Sequence, residues 1–397
     1  MSIKNIFKSY FLLIAVLFSI ILGILIGSSN PPNFILNIFS AIGSLISEII
    51  NFCVPLIIIA FVAQGIASLE TSSGKILGLT LSLSYFFMII AATITFVLAI
   101  NIFPNFFSSS VNFQETGKIA TESNVSSGIS KIEIKPIVEV IPAILISFIL
   151  GLGISSLKAV NLKKIVNEFY KIIEILVKKV IISILPFYVL TNFVKLSSSG
   201  KFELIVGSLY KVFLFIILLN SLWLLFQFTI AGLISRKNPF VLLKNMLPVY
   251  LMAFATQSSA ATIPVSIEAS RKNGVSDAIS NFVVPLCATI HLSGAIISIM
   301  SGTIAIMMLN GYEISLSVMV PFVFMLGIMM VAAPGVPCGG ILAAVSLLVS
   351  FLNFSPSMIA IAIAFHMCQD NFGTACNVCG DTAISLIVDK FCKTKEL

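Results

Sequence analysis

The sequence predicts an all-α polytopic membrane protein, with eight transmembrane helices and two re-entrant helical hairpins arranged as inverted repeats. Three observations carry that expectation. First, 58% of the 397 residues are hydrophobic and only 10% are charged, against about 25% charge in a soluble domain. Mean hydropathy is +1.11. Such a chain cannot cover itself with charge in water, which excludes a soluble enzyme, a disordered protein and a nucleic-acid binder despite a pI near 9.0. Second, Asp, Glu, Lys and Arg are absent between Lys8 and Glu48, Lys75 and Glu115, Asp277 and Glu313, and Glu313 and Asp370. Third, two apolar segments of the C-terminal half are each broken by a short small-residue or Gly/Pro tip, and each precedes a long apolar span with a polar interruption of its own.

A helix needs about 20 apolar residues to cross a bilayer, and inside lipid every backbone polar group needs an internal partner, so the charge-free intervals read as helices. A β-barrel would alternate in segments of about 10 residues; no such alternation occurs. Ordinary spans fall at about 9–28, 34–64, 76–103, 138–157, 172–194 and 206–233. The first has a long apolar run, no A-x-A site and further spans behind it, so it reads as a retained helix rather than a signal peptide. The segments 1–8, 65–75, 158–171, 234–244, 268–277 and 389–397 hold 15 Lys and Arg, whereas 29–33, 104–137, 195–205 and 309–317 hold 5. Cytoplasmic loops carry the excess of positive charge, so the first set reads as internal, both termini as cytoplasmic, and the stretch 105–137 as an external loop of a plasma-membrane protein. Cys53, Cys287, Cys338, Cys368, Cys376, Cys379 and Cys392 lie mostly in apolar stretches, which argues against a disulfide framework. Cys376-x-x-Cys379 has no second pair nearby, so no transition-metal site is expected. Glu48, inside the second span, receives no role.

In the C-terminal half, segment 239–267 is broken by Thr256-Gln-Ser-Ser-Ala-Ala-Thr262, and segment 318–352 by Ala332-Ala-Pro-Gly-Val-Pro-Cys-Gly-Gly340. Neither arm of either break crosses a bilayer comfortably, so each reads as a helical hairpin whose tip faces protein or a water-filled cavity. The spans behind them are interrupted at Ala288-Thr-Ile-His-Leu-Ser-Gly294 and over 370–381. One hairpin entering from each side makes an inverted repeat, and interruptions in corresponding positions point to a substrate site near the midplane. The plainer alternative is two ordinary helix pairs with incidental Gly and Pro.

The ionisable residues at membrane depth are His291, His366, Asp370 and Asp381. A charge there costs roughly 2.5–3.5 kcal/mol on insertion scales, so two aspartates on one span need cations or donors. At about 100° per residue, Asp370, Thr374, Asn377 and Asp381 share one face. Asp381 suits a sodium ion and Asp370 a substrate ammonium. Asn377 and Thr374 suit a substrate carboxylate, assisted by N–H groups at the hairpin tip near Ser258 and Ser259. Unwound backbone near Thr289 and at the second tip would free carbonyls for a cation. The alternatives are that both aspartates only pair with neighbouring helices, and that His291 and His366 are hydrogen-bonded core histidines rather than proton carriers.

At these residues the sequence resembles the dicarboxylate/amino acid:cation symporter family of glutamate transporters, neutral amino-acid exchangers and bacterial serine/threonine symporters. Thr256-Gln-Ser-Ser-Ala-Ala-Thr-Ile-Pro264 is similar to the family's first hairpin tip, and Ala288-Thr-Ile-His-Leu-Ser-Gly294 to its broken seventh span, usually A-T-I-N-M-D-G. Ala333-Pro-Gly-Val-Pro-Cys-Gly-Gly340 resembles the second tip, and Asp370, Thr374, Asn377 and Gly380-Asp381 the last span. The first 200 residues match only in pattern.

The resemblance implies a homotrimer in which a transport domain moves across the membrane like an elevator. Residues 75–104 and 204–397 would form the transport domain, with hairpins at 239–270 and 318–352; 1–70 and 138–200 would form the scaffold. It implies substrate contacts from Ser258, Ser259, Val336, Gly340, Asp370, Thr374 and Asn377. It places one cation at Asp381, Asn377 and backbone near Cys287 and His291, and a second at Thr289 and carbonyls near Ala333. The co-transported ion would be sodium or a proton, with no organic cofactor and with an amino acid and lipid as the partners. Where acidic-substrate members carry arginine, this chain has Gly373, and Gln257 replaces an arginine of the first tip. Ser293 stands where an aspartate helps bind a further sodium, and Met88 where that site expects a hydroxyl. A small neutral amino acid is therefore the expected substrate. Acidic amino-acid symport and an ion channel remain the alternatives. An intramembrane aspartyl protease fits poorly, because Asp370 and Asp381 lie on one helix about 16 Å apart.

Overall fold

A computed structural model describes residues 3–67, 74–107, 134–198, 202–331, 333 and 338–392, and among these no strand occurs. The helices are α1 (Ile3–Ser28), α2 (Asn33–Ala67), α3 (Gly74–Ile102), α4 (Val140–Leu157), α5 (Val160–Leu176) and α6 (Ile182–Ser198). They continue as α7 (Phe202–Ser235), α8 (Pro239–Asn245), α9 (Leu247–Thr256), α10 (Ser259–Lys272), α11 (Asp277–Ile290), α12 (Ser293–Leu309), α13 (Leu316–Val331), α14 (Gly339–Ser350) and α15 (Pro356–Cys392). Most of the external loop expected at 105–137, and the tip residues 334–337, lie outside the described residues.

Among the described residues, four stretches suit a membrane crossing by length and composition: Asn33–Gln64, Lys75–Asn105, Leu209–Ser235 and Asp277–Leu309. The segment 158–171, expected only as an internal connection, forms most of an amphipathic helix, Val160–Leu176, with Val166 and Ile173 buried and Lys164 and Lys171 exposed. A π-helical turn at Val177–Ile181 carries it into α6.

Packing sorts the helices into two groups. Helix α2 lies against α4, α5 and α6, and α1 runs along α6. Helix α15 is wrapped by α7, α9, α10, α11, α12 and α14, with α3 against α12 and α13. Smaller contacts join the groups, chiefly α6 to α15 and α14 to α2.

The first expected break is narrow. Helix α9 ends at Gln257, whose left-handed backbone (φ 49) lets its N–H donate to the Ala253 carbonyl. Ser258 is extended, and its hydroxyl accepts from the Ala261 N–H at 3.2 Å to cap α10. The chain then returns to its start: Asn245 Nδ2 donates to Asn273 Oδ1 at 2.8 Å, and Asn273 Nδ2 donates to the Leu242 carbonyl. A further bend of 47° separates α8 from α9, just before Pro248. Helix α11 stops at His291 and α12 starts at Ser293, so that span is interrupted by two non-helical residues, His291, which is extended, and Leu292.

The last span corrects the sequence reading. The interruption expected over 370–381 is absent, and α15 is one continuous helix. Its polar residues do not break it because α-helical backbone bonds are closed within the segment, while the side chains find partners on the helices around it. Its glycines mark close approaches rather than a break. The carbonyl of Gly373 lies 2.6 Å from where a Cβ on Gly294 would sit.

Candidate functional site

The polar face of α15 lies in the interior. Asp370, Thr374, Asn377 and Asp381 are all buried, and Asp381 is 0% exposed. Both broken helix pairs reach this face. From the first, Gln257 Nε2 donates to Asn371 Oδ1 at 2.6 Å, and Asn371 Nδ2 donates to the Phe254 carbonyl at 2.6 Å. From the second, the Cys338 N–H donates to Asp370 Oδ2 at 3.3 Å. Cys338 has a left-handed backbone (φ 63), which aims its N–H away from the course of α14. The two tips therefore meet α15 at adjacent residues, 370 and 371.

Asp370 also accepts from the Thr374 hydroxyl at 3.3 Å. His366 Nε2 lies 3.8 Å from Asp370 Oδ1, and its Nδ1 is 3.1 Å from the Ser298 hydroxyl. One turn further along, Asn377 Oδ1 accepts from the N–H groups of Gly294 at 2.7 Å and Ala295 at 3.4 Å. It thus satisfies the free donors at the start of α12. Asp381 Oδ1 is 3.0 Å from His291 Nδ1, and Asp381 Oδ2 is buried with no hydrogen-bond partner among the described residues. Among the described residues, these histidines are the basic side chains nearest the two aspartates.

Of the remaining residues singled out in the sequence, Cys287 is buried with its thiol 3.7 Å from the Ser84 hydroxyl. Ser258 caps α10 and Ser259 opens it. Gly340 packs toward Ala295 and Ile299 of α12. Ala333 donates its N–H to the Met330 carbonyl at 3.2 Å. Thr289 is exposed, and its hydroxyl donates to the Leu286 carbonyl of its own helix, so it does not join the buried cluster. Val336 lies outside the described residues. Ser293 is fully buried and its hydroxyl has no partner among the described residues. Met88 Sδ receives the Leu292 N–H at 3.3 Å, so a thioether stands at the helix break.

Sequence reasoning missed Gln227 of α7, whose Nε2 is 3.2 Å from His291 Nε2. The signal was faint: Asn220 and Gln227 are the amide residues of an otherwise apolar stretch, and their spacing of seven puts them on one helix face.

Over residues 12–391 the chain matches the sodium:dicarboxylate symporter family. It is 31% identical over 162 residues to excitatory amino acid transporter 5 of Mus musculus, covering 41% of this chain and 29% of that protein. It is 32% identical over 165 residues to the serine/threonine transporter SstT of Acinetobacter baylyi, covering 41% of each chain. To neutral amino acid transporter B(0) of Oryctolagus cuniculus it is 31% identical over 150 residues, 38% of this chain and 28% of that protein. The matched stretches thus span less than half the length of these relatives.

Proposed function

The chain belongs to the sodium:dicarboxylate symporter family, and from that premise we propose that it is a multi-pass secondary carrier, not an enzyme, that moves a small neutral amino acid together with sodium. The observation that carries this reading is the fully buried carboxylate of Asp381, whose Oδ2 has no partner among the described residues. A buried ionised carboxylate is costly unless paired, and a travelling cation supplies the missing charge. Asp370, half-satisfied by Thr374 and the Cys338 N–H, takes the substrate ammonium. Asn377, with Oδ1 committed to α12, offers its amide nitrogen to the carboxylate, and the tip at Ser258 and Ser259 closes over it. Val336 and Gly340 complete the pocket from the second tip.

The relatives named as excitatory, neutral and serine/threonine transporters leave the substrate open. Gly373 favours the neutral class, because a side-chain carboxylate has no fixed cation there. Ser293 and the Met88 thioether in place of harder ligands support the absence of a further sodium site. In this reading α3 and α7–α15 form the moving domain and α1, α2 and α4–α6 a trimeric scaffold, which the grouping of helix contacts supports. The broken pairs α8–α10 and α13–α14 are re-entrant, the ends of the chain are cytoplasmic, and the carrier resides in the plasma membrane. Competition in proteoliposomes tests the substrate: unlabelled serine, threonine or alanine should displace labelled serine, and displacement by aspartate at lower concentration overturns the neutral assignment.

A further inference from the structure

We propose that Gln227 of α7 is a positioning residue of the cation site, acting through the ring of His291 to fix which oxygen of Asp381 meets the ion. This rests on the sodium-coupled reading above and adds to it a residue from a helix that otherwise contributes nothing to the ligand set.

The argument is one of donors and acceptors. His291 lies between Asp381 and Gln227, with Nδ1 at 3.0 Å from Asp381 Oδ1 and Nε2 at 3.2 Å from Gln227 Nε2. An ionised carboxylate only accepts and an amide nitrogen only donates. With the Gln227 amide nitrogen facing the ring, the arrangement that satisfies both is a neutral imidazole with its hydrogen on Nδ1, donating to Asp381 and accepting from Gln227. The amide therefore sets the tautomer, and the tautomer sets the carboxylate. Oδ1 is held by the ring, and Oδ2, buried and without a partner among the described residues, is the oxygen left for the cation.

All three side chains are sealed from solvent, with His291 at 1% and both Gln227 and Asp381 at 0% exposure, so water does not compete for these positions. The approach depends on Gly380: a Cβ there would lie 2.7 Å from Gln227 Oε1 and 2.7 Å from His291 Cε1. The ring also belongs to the interrupted residue between α11 and α12. Holding it holds the local backbone whose carbonyl the cation reading uses. Groups that orient a ligating side chain from behind typically change metal affinity by about 10–100-fold when removed.

Two readouts test this. The chain has two histidines, so 15N-histidine NMR of the full-length protein in liposomes, with His366→Gln for assignment, reads the His291 tautomer directly in protein whose Gln227 is intact. Hydrogen on Nδ1 is expected; hydrogen on Nε2, or on both nitrogens, overturns the proposal. The second readout is thermal stability of the purified, substrate-free carrier titrated with sodium chloride against choline. Gln227→Leu is expected to raise the half-saturating sodium concentration at least about tenfold, whereas Leu224→Ala, which opens a cavity in the same helix, lowers the sodium-free Tm and leaves that midpoint in place. A wild type that responds to sodium and a Gln227→Leu protein with the same midpoint overturn this inference alone. A wild type blind to sodium overturns the coupling reading and this inference with it.

Discussion

Gly380→Ala separates the stability of the protein from the integrity of its cation site. The added Cβ would lie 2.7 Å from Gln227 Oε1, 2.7 Å from His291 Cε1 and 3.1 Å from Gln227 Nε2. Ordinary contact begins near 3.4 Å, so the Gln227 amide and the His291 ring must each retreat by roughly 0.7 Å. The amide of Gln227 is the end of a flexible side chain and yields first. Retreat stretches its 3.2 Å contact with His291 to roughly 3.9 Å, beyond a hydrogen bond. Global stability falls only modestly, because the roughly 0.5–1 kcal/mol gained by replacing glycine inside a helix offsets part of the roughly 1–3 kcal/mol cost of overpacking. Sodium affinity should fall about tenfold or more, equivalent to about 1.4 kcal/mol or more. Differential scanning fluorimetry across a sodium titration measures both numbers on one sample. A sodium midpoint within about twofold of the wild type would refute the reasoning, because it would mean that the Gln227–His291 contact has no bearing on the ion.

Gly294→Ala should behave oppositely: its Cβ would meet the Gly373 carbonyl at 2.6 Å, fixed backbone that cannot swing away, so a loss of roughly 1–3 kcal/mol should appear as a lowered Tm in the absence of any ligand. Gly373→Arg has room at its first atom, with the nearest contacts of a Cβ at 3.5 Å. Introducing that cation should let aspartate compete with serine for uptake, and unchanged competition would argue that the substrate carboxylate lies elsewhere. Asp370→Asn should abolish stabilisation by amino acids while sodium still raises the Tm, since the sodium-facing carboxylate at Asp381 is untouched; loss of both responses would place the two ligands on one carboxylate.

Much of this architecture was legible because lipid imposes a severe rule on composition. The charge-free intervals mark α1, α3 and the α11–α12 span, and the small-residue tip at Gln257–Ser258 falls where the helix stops. The stripe from Asp370 to Asp381 was also legible, since helical periodicity alone aligns those residues. What misled was reading polarity as discontinuity. In α15 the polar residues are bonded to other helices, Asn371 to the first tip and Asn377 to the start of α12, so the backbone had no reason to unwind. At His291 and Leu292 the break is real, and there the freed N–H groups that follow are taken up by Asn377. Gln227 was hidden because its significance lies in a contact spanning 64 positions, which no local pattern encodes. Likewise, the exposure of Thr289 follows from its phase on α11, two residues past the buried Cys287, where the family resemblance had suggested a ligand.

The most direct test of the account is accumulation of radiolabelled serine in proteoliposomes under an inward sodium gradient, measured for the wild type and for Asp381→Asn. The account predicts uphill accumulation by the wild type that collapses when the gradient is dissipated and is absent from the variant. Serine uptake that is equal with and without sodium, or that survives loss of the Asp381 charge unchanged, would contradict it.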